Sequence, residues 1–198
     1  MKDFLIALLA SLGVLAQIGA AVLVACIVAW LVSPSARAAL AEPRALLQRW
    51  GLWIAWAVAV VATAGSLWFS EGADFIPCRL CWFQRIFMYP LVIVLLVGAI
   101  LKDRRAFWYA IPLPVIGLLI SVYHVYIEQN PEAESQGCKV QSAVPCSFRW
   151  IDKFGYVTIP VLAGSAFALI ALLLVASRRR EDAAAGAVRP PRRAGRGG

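Results

Sequence analysis

The sequence predicts an all-α membrane protein with five membrane-spanning helices, and three observations carry that expectation. Of its 198 residues, 62% are hydrophobic and only 15% charged, far from the balance of an ordinary soluble domain. Apolar runs of the length needed to cross a bilayer, roughly 20 residues, recur along the chain. Lys and Arg gather in alternate connections, as the positive-inside rule requires of cytoplasmic loops. The net charge of +8 therefore reads as membrane topology, and no nucleic acid is expected as a partner.

The first apolar run, Phe4 to Val32, is much longer than the 7–15 or so apolar residues of a secretory signal. A retained helix is expected, although Lys2 and the small-residue segment Ala36-Arg37-Ala38 resemble a signal's flanks. Ser33 to Trp50 carries Arg37, Arg44 and Arg49 against Glu42, and Pro34 and Pro43 should break any long helix there. It reads as a short cytoplasmic connection. The second span, Gly51 to about Phe69, opens with Trp53 and Trp56 and closes with Trp68, the aromatic placement of membrane interfaces. After the polar turn Ser70 to Pro77, a third span runs from the first cysteine pair to about Leu101, with Pro90 expected to bend it. The basic turn Lys102 to Arg105 leads to a fourth span, Phe107 to Ile127. A polar loop, Glu128 to Lys153, holds Cys138 and Cys146. The last span is expected from Phe154 to about Ala176, followed by an Arg-, Ala-, Pro- and Gly-rich tail that cannot build a core and reads as disordered. The basic segments 33–50, 102–105 and beyond 177 fall on the cytoplasmic side, which places both cysteine-bearing loops outside and the C-terminus inside.

Of five cysteines, Cys26 lies within an apolar run and reads as a small hydrophobe. The other four form two outward pairs, in the compartment where disulfides persist. Pro77-Cys78-Arg79-Leu80-Cys81 is a C-x-x-C at the expected start of a helix near Pro77. Helical spacing would put Cys78, Cys81 and Arg85 on one face, and a first-turn thiol beside a cation has its pKa lowered. Two pairs on loops able to meet can relay disulfides by thiolate attack. Two plainer readings stand beside this one. The pairs are structural staples, although a C-x-x-C bridge closes too small a loop to stabilise much; or four thiolates hold zinc, although the spacing of Cys138 and Cys146 is too wide for a zinc half-site. On the redox reading no metal is expected. A soluble thioredoxin-type enzyme is excluded because here C-x-x-C opens a membrane span.

Without a nucleotide-binding glycine motif, the natural electron acceptor for a dithiol at a membrane surface is a lipid-soluble quinone. Arg85, one turn beyond Cys81, is placed to donate to a quinone carbonyl; alone it would read as a snorkelling interface residue. Gln84, Trp82 and Phe83 are weaker candidates for quinone contact. His124, the only histidine, either bonds a quinone, shuttles a proton, or is simply satisfied by a neighbouring helix.

The segment Cys78-Arg79-Leu80-Cys81-Trp82-Phe83-Gln84-Arg85 with Met88-Tyr89-Pro90 resembles the quinone-linked disulfide-forming membrane oxidoreductases of bacteria, the DsbB family, and is most similar to its BdbC-type branch. Leu113-Pro114, Gly117-Leu118-Leu119, His124, Pro145-Cys146-Ser147, Phe154-Gly155 and Thr158-Ile159-Pro160 agree. The resemblance covers about residues 51 to 176. It implies a DsbB-like four-helix transmembrane bundle preceded here by one additional N-terminal transmembrane helix: residues 1–50 form that helix and a basic linker, 51–176 the redox bundle, and 177–198 the basic tail. It further implies the bacterial cytoplasmic membrane, ubiquinone or menaquinone as cofactor, and an extracytoplasmic thioredoxin-fold thiol oxidase as partner. By the resemblance, the reduced partner attacks Cys138, Cys146 exchanges with Cys78, and Cys81 forms the thiolate beside the quinone with Arg85 next to it. The short interval between Cys138 and Cys146 departs from the better-known branch of the family. A relative of the vitamin K epoxide reductase type, with a similar bundle and paired cysteines, is the alternative enzyme; a stapled or zinc-binding scaffold is the alternative outside enzymes.

Overall fold

In lipid a spanning segment must satisfy its own backbone N–H and C=O groups, which leaves an apolar run little choice but the α-helix. The structure is a computed structural model describing residues 2–103, 105–139 and 143–178. Among the described residues there are five helices long and apolar enough to cross a membrane, as the sequence predicts.

Helix α1 covers Lys2–Val32, and a short α2, Pro34–Ala39, follows the cap at Ser33, whose hydroxyl accepts from the Ala36 N–H. Helix α3 runs from Ala41 to Glu71. Its start overturns the expected break at Pro43: that residue lies in the first turn, where a missing N–H costs nothing, so the helix begins well before Gly51. Helix α4, Arg79–Ile100, continues through Pro90. The fourth span is two segments, α5 (Ala106–Ala110) and α6 (Pro112–Gln129). A 3₁₀ turn at Pro131–Ala133 and a single turn α7, Gln136–Lys139, lead into the polar loop. Helix α8 is Ile159–Ser177, starting later than the expected Phe154. Phe154 (φ 56°) and Gly155 (φ 77°) turn the chain in the left-handed region, and Lys153 and Val157 pair across them by reciprocal backbone bonds of 3.1 and 2.8 Å. The tail expected to be disordered lies outside the described residues.

Helix α3 packs against α4 and α8, and α6 against α4 and α8, closing a four-helix ring; α1 lies outside it against α8. Lipid tails are as apolar as leucine, so association depends on close packing more than on the hydrophobic effect. The core shows this: Ala55 and Ala59 of α3 admit Leu91 and Leu95 of α4 and Phe167 and Ile170 of α8, the last four fully buried. Gly117 is required where it stands, because a Cβ there would lie 2.3 Å from the Phe167 ring. The alternating helix directions gather the 72–78 connection and the polar loop at one end. Arg37, Arg44, Lys102, Arg105 and Arg178 gather at the other, where Arg178 stacks on Phe107 and Trp108.

Candidate redox-active site

Helix α4 begins where its first free N–H groups meet a sulfur. Cys78 is the N-cap, in extended backbone, and its Sγ accepts from the Cys81 N–H at 3.4 Å. The capping role folds the side chain back over the first turn and brings the two sulfurs to 3.0 Å, hydrogen-bonded and not joined. The helix thus starts at Arg79, after the expected Pro77, and Cys78 leaves the helix proper without losing Cys81.

Cys138 and Cys146 form a disulfide with Cα atoms 5.7 Å apart. It is buried, Cys138 at 3% and Cys146 at 0% exposure, in one apolar cluster with Cys78, Leu80 and Ile127. The free pair Cys78 and Cys81 and the bonded pair therefore lie side by side, with the Gln136–Lys139 turn packed against α4.

A chain of hydrogen bonds enters this cluster from α6. Ser121 Oγ donates to the Gly117 carbonyl (2.9 Å), so its oxygen accepts from Gln84 Nε2 (3.2 Å). The same amide faces His124 Nδ1 at 3.4 Å. His124 Nε2 then carries the ring proton, pointing at the Cys146 carbonyl (3.0 Å) with Cys78 Sγ 3.6 Å away. With both nitrogens engaged the ring has no lone pair for a metal, although Cys78, Cys81 and His124 bring three donor atoms within 4.8 Å. The hydrogen bond from Cys81 holds the Cys78 thiol at about 5 against an ordinary 9.0; burial opposes this, and the His124 and Cys81 N–H groups assist.

Cys146 is held on both sides of its backbone. Its carbonyl takes the His124 proton, and its N–H donates to the Glu134 carboxylate, which also accepts from Ser147 Oγ at 3.0 Å. Glu134 is buried, 7% exposed. Farther along α6, Glu128 accepts from Thr158 Oγ1 at 2.7 Å, while Arg149 donates to the Glu128 carbonyl at 3.1 Å. These bonds fasten both ends of the loop to the bundle.

On its other side, Cys81 lines an apolar cavity of about 420 Å³, with Gln84, Arg85, Ser66 and Tyr89 as its polar groups. Arg85 donates from Nε to Ser66 Oγ (3.0 Å) and from Nη2 to the Ser66 carbonyl (2.9 Å) and to Ser70 Oγ. Trp82 lies under the guanidinium at 5.1 Å. Nη1 has no partner among the described residues.

Of the residues singled out in the sequence, the structure brings Cys78, Cys138, Cys146 and His124 into one cluster, and Cys81, Arg85 and Gln84 to the cavity wall. His124 is not on that wall, and Gln84 spends its amide on Ser121 and His124. Trp82 and Phe83 are exposed and do not line the cavity. Sequence reasoning missed Ser66, Ser70, Ser121 and Glu134. The two α3 serines carried a signal: hydroxyls at i and i+4 in an apolar span call for a polar partner. Nothing in the sequence around Glu134 marked it.

The family model described as disulfide bond formation protein DsbB matches residues 48–177. Disulfide bond formation protein C of Bacillus subtilis (strain 168) is 46% identical over 123 residues, covering 62% of this chain and 88% of that protein. A probable disulfide formation protein C 1 of Bacillus anthracis is 46% identical over 125 residues, 63% of this chain and 89% of the relative. A probable disulfide formation protein of Oceanobacillus iheyensis is 41% identical over 125 residues, 62% and 84% of the two chains. No solved structure is significantly similar. The family match, the relatives and the membrane-length helices make this a multi-pass membrane thiol–disulfide oxidoreductase, and the chain belongs to the DsbB family of disulfide bond formation proteins.

Proposed function

We propose that this chain reoxidises a thioredoxin-fold thiol oxidase outside the bacterial cytoplasmic membrane and passes the electrons to a membrane quinone, ubiquinone or menaquinone. The observation that carries the reading is the position of Cys81, whose sulfur touches Cys78 and which lines the apolar cavity together with Arg85. The cavity suits a molecule with a polar carbonyl head and an apolar tail, since its polar groups are few and an Arg85 N–H is unspent. A bound quinone supplies a two-electron, two-proton sink there. The gathering of basic residues at the end away from the cysteines supports an extracytoplasmic site.

The chain's residues divide the exchange as follows. A partner thiolate attacks Cys138, forming a mixed disulfide and releasing Cys146 as thiolate. Because Cys138 is buried, the loop must first open. Cys146 attacks Cys78 of the Cys78–Cys81 disulfide, and Cys81 leaves as thiolate at the cavity wall, one helical turn from Arg85. The partner's second thiolate displaces Cys138, and Cys138 then displaces Cys78 from Cys146. A leaving thiol departs faster as its pKa falls, so the low pKa of Cys78 assists this last step. The loop disulfide is restored, and two electrons rest on the Cys78–Cys81 dithiol.

The test is to mix purified protein with a reduced thioredoxin-fold partner and a soluble quinone and follow quinone absorbance. Quinol formation that is lost in Cys81→Ser supports the reading. No quinol from the wild type, or an undiminished rate in the variant, rejects it.

A further inference from the structure

Helix α1 lies outside the family match, which begins at residue 48, yet it walls the cavity that reaches Cys81 and Arg85. Leu9, Leu12, Gly13 and Ala16 form that wall. From Leu9 to Ala16 the helix rises roughly 10 Å, so the cavity extends along α1 away from the cysteine end. Its polar groups sit beside Cys81, and its surface along α1 is apolar.

The register of α1 is fixed by polar contacts that a loosely attached helix would not make. Gln17, within an apolar span, donates to Ser165 Oγ of α8 at 3.1 Å and accepts from Tyr156 Oη at 3.0 Å. Breaking them would leave an amide unsatisfied in hydrocarbon. Lys2 pairs with Asp74 at 3.0 Å at the cysteine end. Between these anchors Gly13 admits Leu162, whose Cδ2 would lie 2.2 Å from an added Cβ, and Leu9 approaches Gly65 of α3. Helix α1 is thereby seated against α8 and α3 at the height of the cavity.

We infer that α1 is part of the quinone site and holds the head-proximal isoprene units of the tail, so that this chain recognises the tail through a helix outside its family match. The inference rests on the quinone reading above. Its test is equilibrium binding read by quenching of tryptophan fluorescence, with Trp150 in the cavity wall as reporter. Two probes are compared, an isoprenoid quinone and the same head group without a tail.

Ala16→Phe fills the cavity beside α1 and is expected to weaken binding of the isoprenoid quinone about tenfold while leaving the tailless quinone nearly unchanged. Gln17→Leu, which releases α1 without filling the cavity, should show the same selective loss. Val22→Phe, on the lipid-facing side of α1, should show none. Equal weakening of both probes, no weakening of either, or a Val22→Phe effect equal to that of Ala16→Phe overturns the inference and leaves the quinone reading standing. A wild-type protein that binds neither probe overturns both.

Discussion

Gln84 presents its Nε2 to Nδ1 of His124 at 3.4 Å, and this contact decides which ring nitrogen carries the proton. Ser121 imposes the orientation: its hydrogen goes to the Gly117 carbonyl, so its oxygen can only receive Gln84's NH₂ group. The Nε2 proton is thereby aimed at the Cys146 carbonyl and Cys78, where the two cysteine pairs meet. A glutamine at the cavity thus sets a histidine beside both cysteine pairs.

Gln84→Glu replaces that donor with an acceptor and draws the ring proton to Nδ1, away from Cys78. The Cys78 pKa should rise by about one unit, a difference of ~1.4 kcal/mol between its protonation states. The pH dependence of Cys78 alkylation in the reduced protein reads the shift. Gln84→Leu offers Nδ1 neither donor nor acceptor and leaves Nε2–H on the Cys146 carbonyl, so it should shift the profile less. A profile identical to the wild type in both variants would show that Gln84 does not orient the ring.

In the wild type, alkylation of Cys78 should titrate near pH 5, because the Cys81 hydrogen bond favours its thiolate over the thiol. Cys81→Ala removes that first cause and should move the midpoint up toward 9.0. The sign for stability follows. A thiol with a lowered folded-state pKa contributes stability that is complete above 9.0 and lost as the pH falls through about 5. The dithiol form should therefore lose thermal stability on acidification across that window relative to the Cys78–Cys81 disulfide form. Parallel melting curves for the two forms would reject the assignment.

Much of this was legible in the sequence because membranes leave few options. Apolar length alone fixed five helices, and basic loops suggested their orientation. The element ends that departed from expectation are local backbone matters: Pro43 fits a first turn as readily as it breaks an interior, and the Phe154-Gly155 turn delays α8 to Ile159. Within the site, spacing put Cys81 and Arg85 on a common wall, but no one-dimensional pattern could pair Gln84 with His124 or place Glu134 against Cys146. The burial of Cys138 and Cys146 was hidden for the same reason, since a polar loop reads as exposed until its partners are known.

Arg85→Met should raise the KM for quinone about tenfold or more while changing the KM for the protein dithiol little. The guanidinium is held by Ser66 and Ser70 of α3, which leaves Nη1 without a partner among the described residues on a side chain that lines the cavity. Ser66→Ala, which frees Nε, should give a smaller effect of the same kind. Steady-state kinetics with each substrate varied in turn separates the outcomes. Equal increases in both KM values would assign Arg85 to helix packing.

Glu134→Ala should loosen the loop over the first pair. The Cys146 N–H and Ser147 hydroxyl both donate to this buried carboxylate, and a buried donor left unpaired costs about 1–3 kcal/mol. Because the disulfide is buried, a small dithiol reaches it only through an open form, whose population should rise about tenfold or more. Reduction of Cys138–Cys146 by dithiothreitol should accelerate by that factor, and hydrogen exchange at the Cys146 amide should rise with it. Glu134→Gln keeps an acceptor oxygen for Cys146 and should fall between the wild type and Glu134→Ala. In single turnover, transfer from the partner into the loop should speed up and the later transfer to Cys78 slow down, because the clamp that opposes opening also aligns Cys146 with Cys78. Two steps changing together in one direction, or neither changing, would mean that Glu134 caps the turn and does not gate the relay.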